Sequence, residues 1–172
     1  IAETGKTAMI EFTFTGKYSS NETDTAILSP TYPTVLPIRV AAGALTWNSV
    51  ALCTASVEID SGNTVTMREC VNASDRSGYI SAIVTDRAPI ITANPESVLV
   101  ATQDRDALWL TSSAQAFSMQ IGATGNSITI AAPKAQLENK QQGDRNGIAS
   151  DDLTWLCTAG SSADTELTIT FD

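Results

Sequence analysis

The sequence predicts an all-β fold, a β-sandwich or barrel with one flanking short α-helix. Three observations carry this. Apolar side chains recur at every second residue in several short runs, the spacing that lays one face of a strand on a core. Gly-Asn pairs punctuate the runs at hairpin intervals. One stretch alone, Asn94-Pro95-Glu96, reads as a helix start.

The first strand is expected over Ala8–Tyr18, where Ile10, Phe12 and Phe14 alternate with Glu11, Thr13 and Thr15 as on a half-buried strand. Ser19–Pro37 is small, polar and proline-bearing, and reads as a long loop or arm, a length that implies a task. Ile38–Trp47 reads as a strand weakened by Gly43. Ala55–Asp60 and Thr64–Met67 are expected to form a hairpin about Ser61-Gly62-Asn63, with Val57 and Ile59 facing one way and Glu58 and Asp60 the other. After a polar loop, Asn72–Gly78, a strand is expected over Tyr79–Thr92. Asn94 then caps, Pro95 is pre-set for the first helical position, and Glu96 meets the positive end of the dipole. That helix is expected to run to about Gln103, with Asp104-Arg105-Asp106 breaking or kinking it and Ala107–Leu110 adding a turn.

Ala116–Gly122 and Ser127–Ala131 predict a second hairpin about Thr124-Gly125-Asn126. Leu137–Ile148 is polar and turn-rich, marked by Gly143 and Asn146-Gly147. Strand alternation returns at Leu153, Trp155 and Cys157, and at Leu167, Ile169 and Phe171, so the C-terminal end is expected to be pinned into a sheet. Residues 61–67 echo residues 124–130; shared hairpin grammar accounts for it, with a duplicated hairpin as the sharper reading.

The 172 residues suit a single domain, 1–172, able to bury roughly two thirds of its unfolded surface without staples. The chain begins at Ile1, which suggests part of a longer chain. Charged residues are 17%, below the usual quarter, and Thr, Ser and Ala replace them, a composition suited to strands and packed contacts. The net charge is −9 and no two of the ten basic residues are adjacent. Such a chain repels DNA on average rather than wrapping it. Three cysteines, Cys53, Cys70 and Cys157, make no disulfide framework; one Cys53–Cys70 bridge is feasible, and buried free thiols are the better expectation. No run of 18 apolar residues spans a membrane.

There is no histidine, which removes Ser-His-Asp and Cys-His catalysis and the commonest zinc ligand. No phosphate-binding glycine motif occurs. Carboxylate pairs of the type that hydrolyses a glycoside are Glu58 with Asp60, Asp104 with Asp106, and Asp151 with Asp152; a solvated strand face explains the first pair better. Asp104-Arg105-Asp106 is a poor calcium site because the arginine opposes the cation. Two glycosylation sequons, at Asn21 and Asn72, are expected by chance in so Ser/Thr-rich a chain. The reading is therefore of no catalytic residue, no cofactor and no metal. The loop Gln141–Gly147 sets Asp144 and Arg145 between glycines and amides; it is a plain exposed turn or a contact loop, with Gln141, Gly143, Asp144, Arg145 and Asn146 as the contact residues.

Several stretches taken in order resemble siphophage tail tube (major tail) proteins: Glu11–Tyr18, Glu58-Ile59-Asp60 with Gly62-Asn63, Asn94–Ala101, Ala132–Gln136, Gly143–Gly147 and Glu166–Phe171. Together they span residues 8–172, and the lysine strand followed by Gly-Asp-Arg-Asn-Gly is the most specific part. The resemblance implies a non-enzymatic subunit of a bacteriophage virion, located in the tail and assembled in the bacterial host cytoplasm. It implies self-association into hexameric or pseudo-hexameric trimeric rings that stack into a tube, contact with other tail proteins, and a lumen through which DNA passes without tight binding. Glu58, Asp60 and Glu138 are the candidate lumen acids, Ser19–Pro37 a candidate arm to a neighbouring subunit. A β-sandwich adhesin, decoration or carbohydrate-binding module is the alternative.

Overall fold

The structure, a computed structural model, describes residues 1–17, 32, 34, 36–41, 43–74, 77–123 and 125–172. It is mostly β, with one short helix and one large antiparallel sheet. The chain divides into two compact units: Ile1–Ile10, Pro37–Gly62 and Ala88–Asp172 make the larger, Glu11–Leu36 and Asn63–Arg87 the smaller. Most of Ser19–Pro37, with Tyr18 and Thr124, lies outside the described residues.

The larger unit holds β1 (Ala2–Glu3), β2 (Ala44–Trp47), β3 (Val50–Ala51) and β4 (Thr54–Asp60). The smaller holds β5 (Asn63–Glu69) and β6 (Tyr79–Arg87), paired with each other as a two-stranded sheet. The larger continues with β7 (Ile90–Pro95), α1 (Arg105–Leu110), β8 (Ala114–Ala123), β9 (Asn126–Arg145), β10 (Ile148–Thr158) and β11 (Thr168–Phe171). Its strands form one sheet in the order β1-β4-β7-β10-β9-β8-β2-β3, with β11 added beside β9.

The twenty-residue β9 organises this unit. β8 pairs along one edge, over Asn126–Gln136; the other edge is shared by β11 over Ile128–Ala131 and β10 over Lys134–Arg145. Two sets of strands thus meet on one backbone. Trp47 on β2 lies against Trp155 on β10, ring centroids 5.4 Å apart and 62° inclined, although β8 and β9 separate them in the sheet. A single sheet brings such strands together only by rolling over itself. Phe117 packs on the same Trp155 at 5.7 Å, and Trp47 Nε1 donates to the Ala135 carbonyl at 3.3 Å. Leu45, Val57, Ile91, Ile121, Leu137, Leu153 and Cys157 complete the core. Each fully buried side chain of this size contributes about 1.5–3 kcal/mol.

Several sequence expectations are corrected. The 10–17 stretch, though it alternates, is not a strand: it pairs with no described strand, and Phe12 and Phe14 are exposed. β4 and β5 are not a hairpin: β4 pairs with β7 and β1, β5 with β6. The Tyr79–Thr92 run is two strands, divided at Ala88-Pro89. Asn94-Pro95 ends β7 instead of starting a helix. The helix begins eleven residues after Asn94, at Arg105, with Asp104 as its N-cap accepting from Ala107 N at 2.8 Å. Asp104-Arg105-Asp106 therefore starts a helix where a break was expected. Leu137–Arg145 is strand, where turns were expected. Three expectations hold: the β8–β9 hairpin, the inward row Leu153–Trp155–Cys157, and the C-terminal strand, whose Asp172 exchanges backbone bonds with Ser127. The cysteines are free, as expected, but only Cys157 is buried and Cys53 is exposed.

Candidate assembly surface

Glu58 projects from the outer face of β4, because its neighbour Val57 is buried in the core. Register carries the row across the sheet: Glu58 opposite Thr92, Thr92 opposite Thr154, Thr154 opposite Asn139. One rung away, Glu3 opposes Ser56 and Asp152 opposes Gln141. These two rows line an open groove of about 460 Å³ that takes in Glu3, Glu58, Asn94, Asn139, Gln141 and Asp152. Two residues expected to serve different roles, Glu58 and Gln141, thus face one groove. Asp60 is at the end of β4, where its carboxylate accepts from Gly62 N at 2.9 Å.

Glu138 lies elsewhere. β9 shifts register against β10 between Leu137 and Asn139, which leaves Glu138 as the extra residue of a β-bulge. Its carbonyl, freed from the ladder, accepts from Trp109 Nε1 at 2.9 Å. Lys140, now on the helix side of the strand, pairs with Asp106 of α1 at 2.6 Å. The bulge is therefore where α1 is fastened to the sheet.

Asn94 resolves a second bulge. β4 shifts register against β7 between Thr54 and Val57, and Asn94 Oδ1 accepts from the Ala55 and Ser56 amides at 3.3 and 3.1 Å and from Thr54 Oγ1 at 2.9 Å. The residue read as a helix cap does satisfy orphan amides, but those of a bulge.

In the β9–β10 hairpin, Asn146 (φ 55°) and Gly147 (φ 83°) form a two-residue turn between the paired Arg145 and Ile148. Asp144 braces it by accepting from Gly147 N at 3.0 Å. Arg145 turns back onto its own chain: its guanidinium donates to Glu96 Oε1 at 2.6 Å and to the Asn94 carbonyl at 3.3 Å. Glu96 also accepts from the Cys53 thiol at 3.4 Å. Gly143 is fixed by crowding, since a Cβ there would meet Ser150 Oγ at 2.9 Å.

Sequence reasoning missed a buried polar cluster at the start of α1. Arg105, 3% exposed, donates to Asp151 Oδ2 at 2.5 Å, to Gln103 Oε1 at 3.1 Å and to the Glu96 carbonyl at 3.2 Å. Ser97 Oγ donates to the other Asp151 oxygen at 3.0 Å, and Gln103 Nε2 donates to the Trp47 carbonyl at 3.0 Å. Together they hold the 96–104 connection against β10 and leave Leu99 and Val100 exposed on it. Arg105 Nη2 and Trp155 Nε1 are buried without an acceptor among the described residues. An arginine between two aspartates gave no sequence sign of burial; the one clue was the Asp151-Asp152 pair, the only charged residues of β10.

Chemically the surface offers carboxylates, amides and hydroxyls on a rigid sheet. The Cys157 thiol, 3% exposed, is pushed up to about 11 by burial, which keeps it protonated and a poor nucleophile. Among the described residues no three His, Cys, Asp or Glu side chains gather as metal ligands, and no helix is long and apolar enough to cross a membrane.

No protein-family model matches this sequence, and no curated protein matches it. Among solved structures, the fold is similar to a chain of the anti-feeding prophage cap, described as the tube terminating cap: TM-score 0.55, 14% identity, covering 86% of this chain and all of the other. A chain of the native gene transfer agent virion matches at TM-score 0.44 and 14% identity, over 70% of this chain and 88% of the other, too distant to bear on the question. At such identity the first likeness establishes a common fold and nothing finer.

Proposed function

We propose that this chain is a structural subunit of a bacteriophage tail tube or of the ring that terminates such a tube. The observation that carries the reading is the shared fold, which takes in the whole of the tube-terminating cap chain. The sequence resemblance over residues 8–172 points the same way. In this reading the subunits form hexameric or pseudo-hexameric trimeric rings within the virion tail, assembled in the host cytoplasm alongside other tail proteins. DNA passes through the lumen without tight binding, consistent with a net charge of −9 and scattered basic residues. Glu58 and Asp60 remain the candidates for an acidic lumen wall; Glu138, on the bulge that fastens α1, is placed less favourably. Gln141, Gly143, Asp144, Arg145 and Asn146 remain the candidate contact loop, with Arg145 acting by holding the loop to Glu96.

Negative-stain electron microscopy of the concentrated protein tests this. Hollow tubes identify a tube subunit, and single rings that do not stack identify a terminator. Monodisperse monomers at every concentration, alone and with preassembled tails, overturn both.

A further inference from the structure

The core of the larger unit runs out at β11. Directly opposed residues share a face, so the inward rows read across the strands as Met119–Ile130–Ile169 and Ile121–Ile128–Phe171. Met119 and Ile121 are 5% and 2% exposed; at the far end of the same rows Ile169 and Phe171 are 43% and 64% exposed. β11 pairs only with β9, and no described strand lies on its other edge. The sheet thus ends on an unpaired backbone edge with two apolar side chains on its core face, a template for one more strand.

The chain also carries a strand-like sequence without a sheet. Ile10, Phe12 and Phe14 alternate with Glu11, Thr13 and Thr15, all six are exposed, and Phe12 and Phe14 stack on each other at 6.0 Å. Its pattern, Glu-Phe-Thr-Phe-Thr, repeats that of the edge, Glu166-Leu167-Thr168-Ile169-Thr170. Sequences so alike suit the same kind of position in a sheet.

We propose that residues 10–15 of one copy add as an antiparallel strand to the free edge of β11 of a second copy. This rests on the assembly reading above and names the contact that makes it. One register satisfies apolar and charge matching together: Ile10 opposite Phe171, Phe12 opposite Ile169, Phe14 opposite Leu167, Thr13 opposite Thr168. There Glu11 meets Thr170. Charge favours this pairing, because residues 164–172 carry Asp164, Glu166 and Asp172 and no base, while residues 1–17 carry Lys6 and Lys17 against Glu3 and Glu11. The antiparallel register shifted by two residues, with Phe12 opposite Phe171, sets Glu11 against Asp172 and is disfavoured. The added strand covers Ile169 and Phe171 with Phe12 and Ile10 and closes the core row. Because the arm leaves one copy and the edge belongs to another, the contact is heterologous and propagates round a ring.

Disulfide trapping tests it in the full chain with Cys53→Ser, Cys70→Ser and Cys157→Ala. A chain bearing Thr13→Cys is mixed with one bearing Thr168→Cys and oxidised mildly. The expected result is a disulfide heterodimer of twice the chain mass, at least five-fold above the yield with Thr170→Cys or with the control Thr66→Cys. A chain bearing both Thr13→Cys and Thr168→Cys should link between copies, not within one. Yields no higher than the control, or an internal link only, overturn the proposal whatever microscopy shows. Rings without the cross-link discard the strand pairing and keep the assembly reading; the cross-link without rings or tubes keeps the pairing and discards that reading.

Discussion

Removing Arg105 should cost more than any surface change in this chain. Arg105 and Asp151 have side chains 2% and 7% exposed, and their 2.5 Å contact is joined by two further bonds from the guanidinium. In an Arg105→Met variant Asp151 keeps one bond, from Ser97, and its charge stays buried without a counterion. Breaking a buried pair on one side costs about 3–5 kcal/mol. Against a total stability of roughly 5–15 kcal/mol, that is a fall in Tm of roughly 6–20 °C for a chain of this length. The assay is urea and thermal unfolding of Arg105→Met, Asp151→Asn and the double variant. The double variant should recover at least about 2 kcal/mol relative to the sum of the single losses, because neither charge is then stranded. A loss below about 1 kcal/mol in Arg105→Met, or strict additivity in the double variant, refutes the account of this cluster as a coupled buried pair.

Native-state labelling with a thiol reagent at pH 8 should modify Cys53 quickly and Cys157 only after unfolding. Because burial raises the Cys157 pKa from 9.0 to about 11, its neutral form is favoured in the folded chain: stability is unaffected below pH 9, falls as pH rises from 9 to 11, and levels off at a loss of up to about 3 kcal/mol relative to a Cys157→Ala control. Gly62→Ala should cost roughly 2–4 kcal/mol in urea unfolding, since Gly62 has φ 59° and a Cβ would sit 2.1 Å from the Ala88 carbonyl oxygen; a loss of a few tenths would mean the turn relaxes freely. Arg145→Glu should cost about 1 kcal/mol of stability, its pair with Glu96 being partly solvated; assembly that falls much further than stability supports the contact loop, and assembly that tracks stability removes it.

What the sequence made legible was whatever depends on a single strand and its own core. Leu153, Trp155 and Cys157 could be read because inward positions on one strand need no knowledge of its partner. The β8–β9 hairpin could be read because a turn and its two flanks are local. What failed depends on partners far along the chain. Asn94-Pro95-Glu96 has every local mark of a helix start, yet Asn94 spends its acceptor on a bulge in β4, forty residues earlier. Ser61-Gly62-Asn63 looks like a hairpin turn, yet β4 finds β7 instead. The polar half of β9 looks like turns in sequence because bulging at Glu138 reverses its faces midway and breaks the period of two. Of the candidate site, Glu58 and the Gln141 end of β9 were named from sequence, but not that cross-strand register sets them on one groove. Arg105 was invisible, because burial of a lone arginine depends on an aspartate 46 residues away.

Gly62 and Ala88 also determine how the chain can vary. The Ala88 amide donates to the Gly62 carbonyl at 3.3 Å, so the excursion through β5 and β6 leaves and rejoins the larger unit at one backbone contact. β4 and β7, on either side, pair with each other without reference to what lies between. Residues 63–87 are therefore an insertion between two strands that already pair. A change of length there leaves the ends of β4 and β7 where their own pairing sets them, so the large sheet does not depend on the size of the insertion.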